Sequence, residues 1–314
     1  MRKFTMPKFW VTAWFMFFLI IAGDGYLYFR RKEASRQREA RVPAELCHEA
    51  YLNFYARPKV DVRVIFGYKD ARPARFVADR YERMLFIQRI LEPCTDKSFA
   101  CGFTRSRTDA DLFTRKINGP ARGAPGKSVL PAEEKQVDLR VLQSSAGPDD
   151  EENRLDPFQK WRSEYASRSF LQGLSEADAI FYNGHSRGGG GPEFEPPLIR
   201  ADHEVDFKWY REHELGLIPI LNTFEHAPSR LKLLGLYSCA SSRHFMDRVL
   251  AAKPDLGLIT SPRLIYFSDA LESSLEALSA LLGLQCQEAF QESLNNRRSR
   301  ASGARVSGFF EEKK

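Results

Sequence analysis

The apolar positions of this chain fall into two regimes. The first is continuous. Phe9–Phe29, FWVTAWFMFFLIIAGDGYLYF, runs for 21 residues and is almost wholly apolar, a length that spans the hydrocarbon core of a bilayer at helical rise. Trp10, Trp14, Tyr26 and Tyr28 suit the two interfaces, and basic residues flank both sides. A retained single-pass anchor is the expectation, with a cleaved signal peptide (apolar core Phe9–Ala22, cut near Gly23), giving a secreted form, as the alternative. Orientation is open. Six basic residues after the run against three before it place the C-terminal flank in the cytoplasm. The short basic tail ahead of an apolar run instead resembles an export signal, and an extracytoplasmic soluble domain is the expectation.

In the second regime the periods are short. A polar stretch over 30–58 reads as a partly helical stalk. Asp61–Tyr68 (DVRVIFGY) alternates and is rich in Val and Ile, which predicts a strand. Ala78–Glu92 carries Tyr81, Leu85, Ile87, Ile90 and Leu91 at helical spacing. SFACGFT reads as a short strand and Lys116–Lys135 as a loop rich in Gly, Pro and Ala. Gln136–Ser144 reads as a strand, and Phe158–Leu174 as a helix after an acidic surface loop. The apolar runs Ala177–Gly184 and Leu231–Ser238 predict two buried strands with a long irregular region between them. A helix over SSRHFMDRVLAA, a strand over DLGLITS and an amphipathic helix over YFSDALESSLEALSALLGL follow, and the chain from Asn295 reads as frayed.

Alternation of strands and helices predicts an α/β fold: a mostly parallel sheet with helices on both faces, preceded by one N-terminal transmembrane helix. The expected divisions are a basic tail (1–8), the span (9–29), the stalk (30–58), the α/β domain (59–290) and a flexible basic tail (291–314). In such sheets sites gather at the carboxyl ends of the strands.

With 314 residues and 43% apolar content the chain can bury a sizeable core. The net charge of +6 comes largely from basic residues near the ends, which read as membrane flanks and a solvated tail. Aromatic and basic residues do not interleave as a single-strand binder requires, so a nucleic-acid partner is not expected. Of the five cysteines, setting Cys239 aside leaves an even four, and Cys94 and Cys101 are close enough in sequence to bridge. Two disulfides and one free thiol would suit an oxidising compartment; five buried thiols are the alternative. The cysteine spacing does not match a structural zinc site, the histidines lack metal-ligand spacing, and no metal or cofactor is expected.

Three motifs compete for the chemistry. ARGAPGKS (Ala121–Ser128) fits a relaxed phosphate loop, but it lacks the buried strand before it and carries Pro131 early in any helix after it, so it reads as a chance match. GHSRG (Gly184–Gly188) has the G-x-S-x-G form of a nucleophile elbow and resembles the motif of α/β-hydrolases, with Ser186 as nucleophile. An elbow needs a helix springing from the serine, and GGGGPEFEPP opposes one. Asp206, Asp247, Asp255, His226 and His244 are the candidate partners for Ser186, and none stands at a strand end.

The third is the pair His185 and Cys239. One buried strand ends in NGH and the next in YSCASS. Here the chain resembles the caspase-like cysteine peptidases, the group that includes caspases, legumains, gingipains, clostripain and separase. In that group a hydrophobic strand ends at a histidine and the next core strand ends in a small residue and the nucleophilic cysteine. The resemblance covers about Val60–Leu284 as an architecture. It implies a thiol endopeptidase acting on a peptide or protein substrate, with His185 and Cys239 as the dyad and the backbone N–H groups of Ser186 and Cys239 as the oxyanion hole. The chain departs from the pattern at Ser186, where glycine is usual. A thiol is nucleophilic as the thiolate, which a neighbouring imidazole and the start of the SSRHFMDRVL helix both favour. Arg187, Gly188 and Gly189 would contact substrate, on a mobile rim formed by Gly188–Gly191. The remaining alternative is a membrane-anchored interaction module that keeps the fold without catalysis.

Overall fold

The computed structural model describes residues 44–69, 79–95, 98–121, 132–147, 150–296, 299 and 302–311. The expected span at 9–29 and the phosphate-loop-like stretch from 122 to 128 lie outside them. Among the described residues no helix is long and apolar enough to cross a membrane.

Eight strands form one sheet: β1 (Lys59–Phe66), β2 (Thr104–Arg105), β3 (Leu112–Asn118), β4 (Glu134–Gln143), β5 (Ala179–Asn183), β6 (Leu233–Tyr237), β7 (Gly257–Thr260) and β8 (Arg305–Ser307). Their order is β2-β3-β4-β1-β5-β6-β7-β8. The five central strands, β4 to β7, run parallel. Antiparallel β2 and β3 flank them on one side and β8 on the other. The helices are α1 (44–54), then α2 (Asp79–Leu91), α3 (Asp150–Leu155), α4 (Gln159–Glu176), α5 (Phe207–His213), α6 (Leu217–His226), α7 (Asp247–Ala252), α8 (Phe267–Leu282) and α9 (Gln287–Leu294).

The strict period of two in the central strands builds two cores. Val62, Val64, Phe66, Phe181, Leu233 and Ile259 face one side, where α1, α2, α8 and α9 supply Phe54, Phe86, Leu278 and Phe290. Ile65, Ile180, Tyr182, Leu234, Leu236 and Leu258 face the other, against Phe170 of α4, Ile220 of α6 and Val249 of α7. Strands buried on both faces are the near-continuous apolar runs that the sequence shows for β5 and β6.

Several boundaries differ from expectation. The segment 30–58 is not all stalk: α1 buries Tyr51 and Phe54, Tyr55 just past its end is buried too, and Cys47 is bridged to Cys286. The loop expected at Lys116–Lys135 is invaded at both ends, because β3 runs to Asn118 and β4 begins at Glu134. β3 is partly polar and only half buried, and β4 opens on the polar Glu134 and Lys135, so neither end of the stretch carries an apolar run. The irregular region after β5 contains α5 and α6. The expected tail from 291 begins inside α9 and goes on to β8, which pairs with β7. Phe309 and Phe310 then pack at right angles to each other against Tyr51. A second disulfide joins Cys94 to Cys101 and leaves Cys239 as the free thiol.

Phe310 is 5% exposed, so Phe310→Ala is expected to lower the unfolding free energy by about 3 kcal/mol, measured by urea denaturation. A frayed tail would leave the midpoint unchanged.

Candidate active site at three strand ends

Main-chain pairing aligns three strand ends in one row. Phe66 of β1 pairs with Asn183 of β5, and Asn183 pairs with Tyr237 of β6. Two further bonds extend the ladder: the Gly67 N–H donates to the Asn183 carbonyl (2.9 Å) and the Gly184 N–H to the Tyr237 carbonyl (3.2 Å). His185 and Cys239 therefore hold equivalent positions, each two residues past the last paired row, and Lys69 stands three past it. The chain leaving β1 passes through α2 to β2, on the β4 side of the sheet, while that leaving β5 reaches β6 on the other side. Such a reversal opens a crevice beyond the carboxyl ends of the strands.

The side chains of His185 and Cys239 meet the same short segment. The imidazole lies edge-on to the Phe267 ring, with centroids 5.5 Å apart. The Cys239 sulfur sits 3.7 Å from the Ile265 carbonyl and packs against the core on the α8 side. Parity accounts for this. Odd positions of β5 and β6 face α8, and 185 and 239 continue that parity. Both residues are half-buried.

Left-handed backbone at ordinary residues follows each of them. Ala240 has φ 49° and Arg187 has φ 47°, a region that costs a side chain about 1–2 kcal/mol. The Ala240 turn is held by its N–H, which donates to the Arg263 carbonyl (2.7 Å), and by its carbonyl, which accepts from the His244 N–H (3.1 Å). A π turn over Ser242–Met246 then leads into α7, so the helix expected directly after Cys239 starts with a wide turn. The His185 loop is pinned by buried Tyr182, whose hydroxyl lies 3.1 Å from the carbonyls of both His185 and Glu193 and accepts from the Glu193 N–H at 2.9 Å.

Arg187, expected to contact substrate, is turned inward. It is 3% exposed, is ion-paired with Glu193 and lies 5.8 Å from the Tyr210 ring; Tyr210 donates its hydroxyl to the same carboxylate. The glycine run, expected to form a mobile rim, is tied down by main-chain hydrogen bonds. The N–H groups of Gly189 and Gly191 both donate to the Ser186 carbonyl at 2.9 Å. Gly189 has φ 108°, and a Cβ at Gly191 would lie 2.7 Å from the His185 carbonyl. Gly188 takes φ 65° within a single three-residue turn, Arg187–Gly189. That turn is all the helix that follows Ser186. Ser186 itself has ordinary φ −83° and ψ −13° and is 4% exposed, so it lacks both the strained turn and the exposure of a nucleophile elbow. Of its candidate partners, Asp206 caps α5, Asp255 pairs with Lys253 and His226 bonds within its own helix.

A buried charged group that the sequence does not signal also stands at this edge. Lys69, beyond β1, is 4% exposed. It is ion-paired with Glu82 of α2, and its ammonium stands 4.2 Å over the Phe267 ring that also meets His185. Asp79, one turn earlier on α2, accepts from the N–H groups of Ser144 and Ser145 at 2.7 Å each and from the Ser145 hydroxyl. Burial pushes the Lys69 ammonium below its ordinary range, against the pull of Glu82 and Asp79 and of the Cys239 sulfur. Burial also raises Asp79 and pushes Glu82 up to about 7, with Lys69 opposing the rise. A signal for α2 existed: Asp79, Glu82, Phe86 and Ile90 form one helical stripe. Lys69 has no such signature.

At the same strand ends the side chains of Asn183 and Ser238 are fully buried without hydrogen-bond partners among the described residues. Among those residues no group of three His, Cys, Asp or Glu could hold a metal ion. Neither a family model, nor a curated protein, nor a solved structure matches this chain.

Glu82 sets an expected pH dependence. Its folded value lies above its unfolded one, so between about 4.5 and about 7 the native state holds a proton the unfolded chain has lost. Its contribution to stability is complete below that window and disappears as pH rises through it. In urea denaturation at pH 5 and pH 8, Glu82→Gln is expected to remove this decline relative to wild type. An unchanged difference between the two pH values would show that Glu82 does not titrate there.

Proposed function

We propose that this chain is a cysteine endopeptidase of caspase-like fold, with His185 and Cys239 as its dyad. The observation that carries the reading is the shared row: an imidazole and the free thiol leave adjacent parallel strands at equivalent positions and converge on Ile265–Phe267. Chain order agrees with the resemblance, histidine strand first and cysteine strand next.

The chemistry follows from the arrangement. The Cys239 thiolate attacks a peptide carbonyl carbon, and its electron pair forms the S–C bond while the carbonyl π pair moves to oxygen. The amides of Ser186 and Cys239 donate to no backbone carbonyl among the described residues, and they would receive that oxyanion. As the intermediate collapses, the C–N bond breaks and His185 gives its proton to the departing amine. The thioester is then hydrolysed by a water whose proton returns to His185, and the thiolate is restored. Serine at 186 keeps the N–H that this scheme uses.

Three further features favour a functional edge. Left-handed Ala240 and Arg187 store strain of the kind that clusters at active sites. The buried polar groups of Asn183 and Ser238 carry a desolvation cost that packing alone would remove. The two disulfides suit an oxidising compartment, and with the apolar run at 9–29 they favour a membrane-anchored domain outside the cytoplasm.

Wild type is expected to cleave peptides in a proteome-derived library read by mass spectrometry, and Cys239→Ala and His185→Ala to lose at least 100-fold of that rate. Labelling of Ser186 by a fluorophosphonate, with cleavage surviving in Cys239→Ala, would instead favour the serine hydrolase. Absence of both cleavage and labelling would favour a binding module.

A further inference from the structure

We infer that Lys69 is a positioning residue for Cys239: a buried ammonium, held between Glu82 and Phe267, that stabilises the negative charge on the sulfur. This rests on the cysteine reading above and adds the group that supplies the charge.

The geometry comes first. Lys69, His185 and Cys239 leave three consecutive strands, β1, β5 and β6, just past one paired row. All three converge on the start of α8: the Lys69 ammonium and the His185 ring both meet Phe267, and the Cys239 sulfur meets the carbonyl of Ile265. Lys69 is oriented by a fixed ion pair and by the aromatic face beneath it, which attracts a cation. Its side chain is fully buried and that of Glu82 is 4% exposed, so their fields are weakly screened.

A purely structural role explains this pair poorly. A buried ion pair costs desolvation that its own attraction barely offsets, and an apolar pair of similar volume often serves stability equally well or better. Here Glu82 keeps one carboxylate oxygen buried without a partner among the described residues, so the pair is incompletely satisfied. A cation within electrostatic reach of a sulfur that must become anionic gives the cost a use. The charged groups facing Lys69 are Glu82, Asp79 and Cys239. The sulfur in turn lies within electrostatic reach of Lys69, and His185 meets the same Phe267 ring as Lys69. Glu82 opposes Lys69: its negative charge cancels part of the field the sulfur feels.

This opposition makes the inference testable, because the two members of the pair must act in opposite directions. The rate of iodoacetamide alkylation of Cys239 would be measured against pH in the full chain with its disulfides intact, where Cys239 is the free thiol. Lys69→Met is expected to move the midpoint of the profile up by about one pH unit, a tenfold slower reaction below it, and Lys69→Arg to restore most of the wild-type profile. Glu82→Gln keeps the shape and removes the opposing charge, so its midpoint is expected to fall. A structural role would move both variants the same way or neither, and either result would overturn the inference. Should Lys69→Met fail to fold, as judged by its melting transition, Glu82→Gln decides alone: a lower midpoint supports the role, and an unchanged or higher one ends it. A wild-type profile matching that of a small free thiol would sink the cysteine reading as well. A wild-type profile displaced to low pH that neither variant moves would remove only the role of Lys69.

Discussion

The structure depends on one stretch of main-chain pairing, the row through Phe66, Asn183 and Tyr237. Parallel strands in register finish at the same edge, and whatever follows the last paired residue is delivered there. A slip of one residue in β6 would turn Cys239 to the opposite face of the sheet and bury it among the α4, α6 and α7 contacts. Register in turn is set by burial on both faces, since each slip would exchange the residues of two tightly packed cores. The position of the thiol is thus fixed by valines, leucines and phenylalanines far from it.

Costs are concentrated at that edge. Within a few residues of the row lie a buried lysine with its carboxylates, two left-handed ordinary residues and two buried polar side chains without partners. Each is unfavourable by itself, by about 1–3 kcal/mol. The offset comes from elsewhere: the two apolar faces, the Cys47–Cys286 link that ties α1 to the turn before α9, and the C-terminal phenylalanines that close over α1. Arg187, Glu193 and Tyr210 form a second buried polar cluster behind the glycine run, and it keeps the His185 loop rigid. This rigidity matters because a general acid and base acts only within hydrogen-bond reach of its proton.

The chain itself determined the α/β class, the buried strands β5 and β6 with His185 and Cys239 at their ends, and the even set of four cysteines apart from Cys239. These rest on local signals: period, run length and punctuation by glycine and small polar residues. Only the tertiary structure decided the rest. That β5 and β6 are neighbours, that 185 and 239 share a face, and that Cys47 reaches Cys286 are matters of register and long-range packing. The same holds for the chain ends. Phe309 and Phe310 look like an isolated apolar pair in polar surroundings until they pack on Tyr51 of α1. Lys69 carries no sequence signature and Arg187 suggests a substrate contact, because a lysine or arginine usually is exposed, and the local sequence does not single out a carboxylate partner for either. Glu82 lies thirteen residues after Lys69 and Glu193 six after Arg187, and the local sequence does not show that the chain folds each pair inward, so the burial becomes visible only once the sheet has formed.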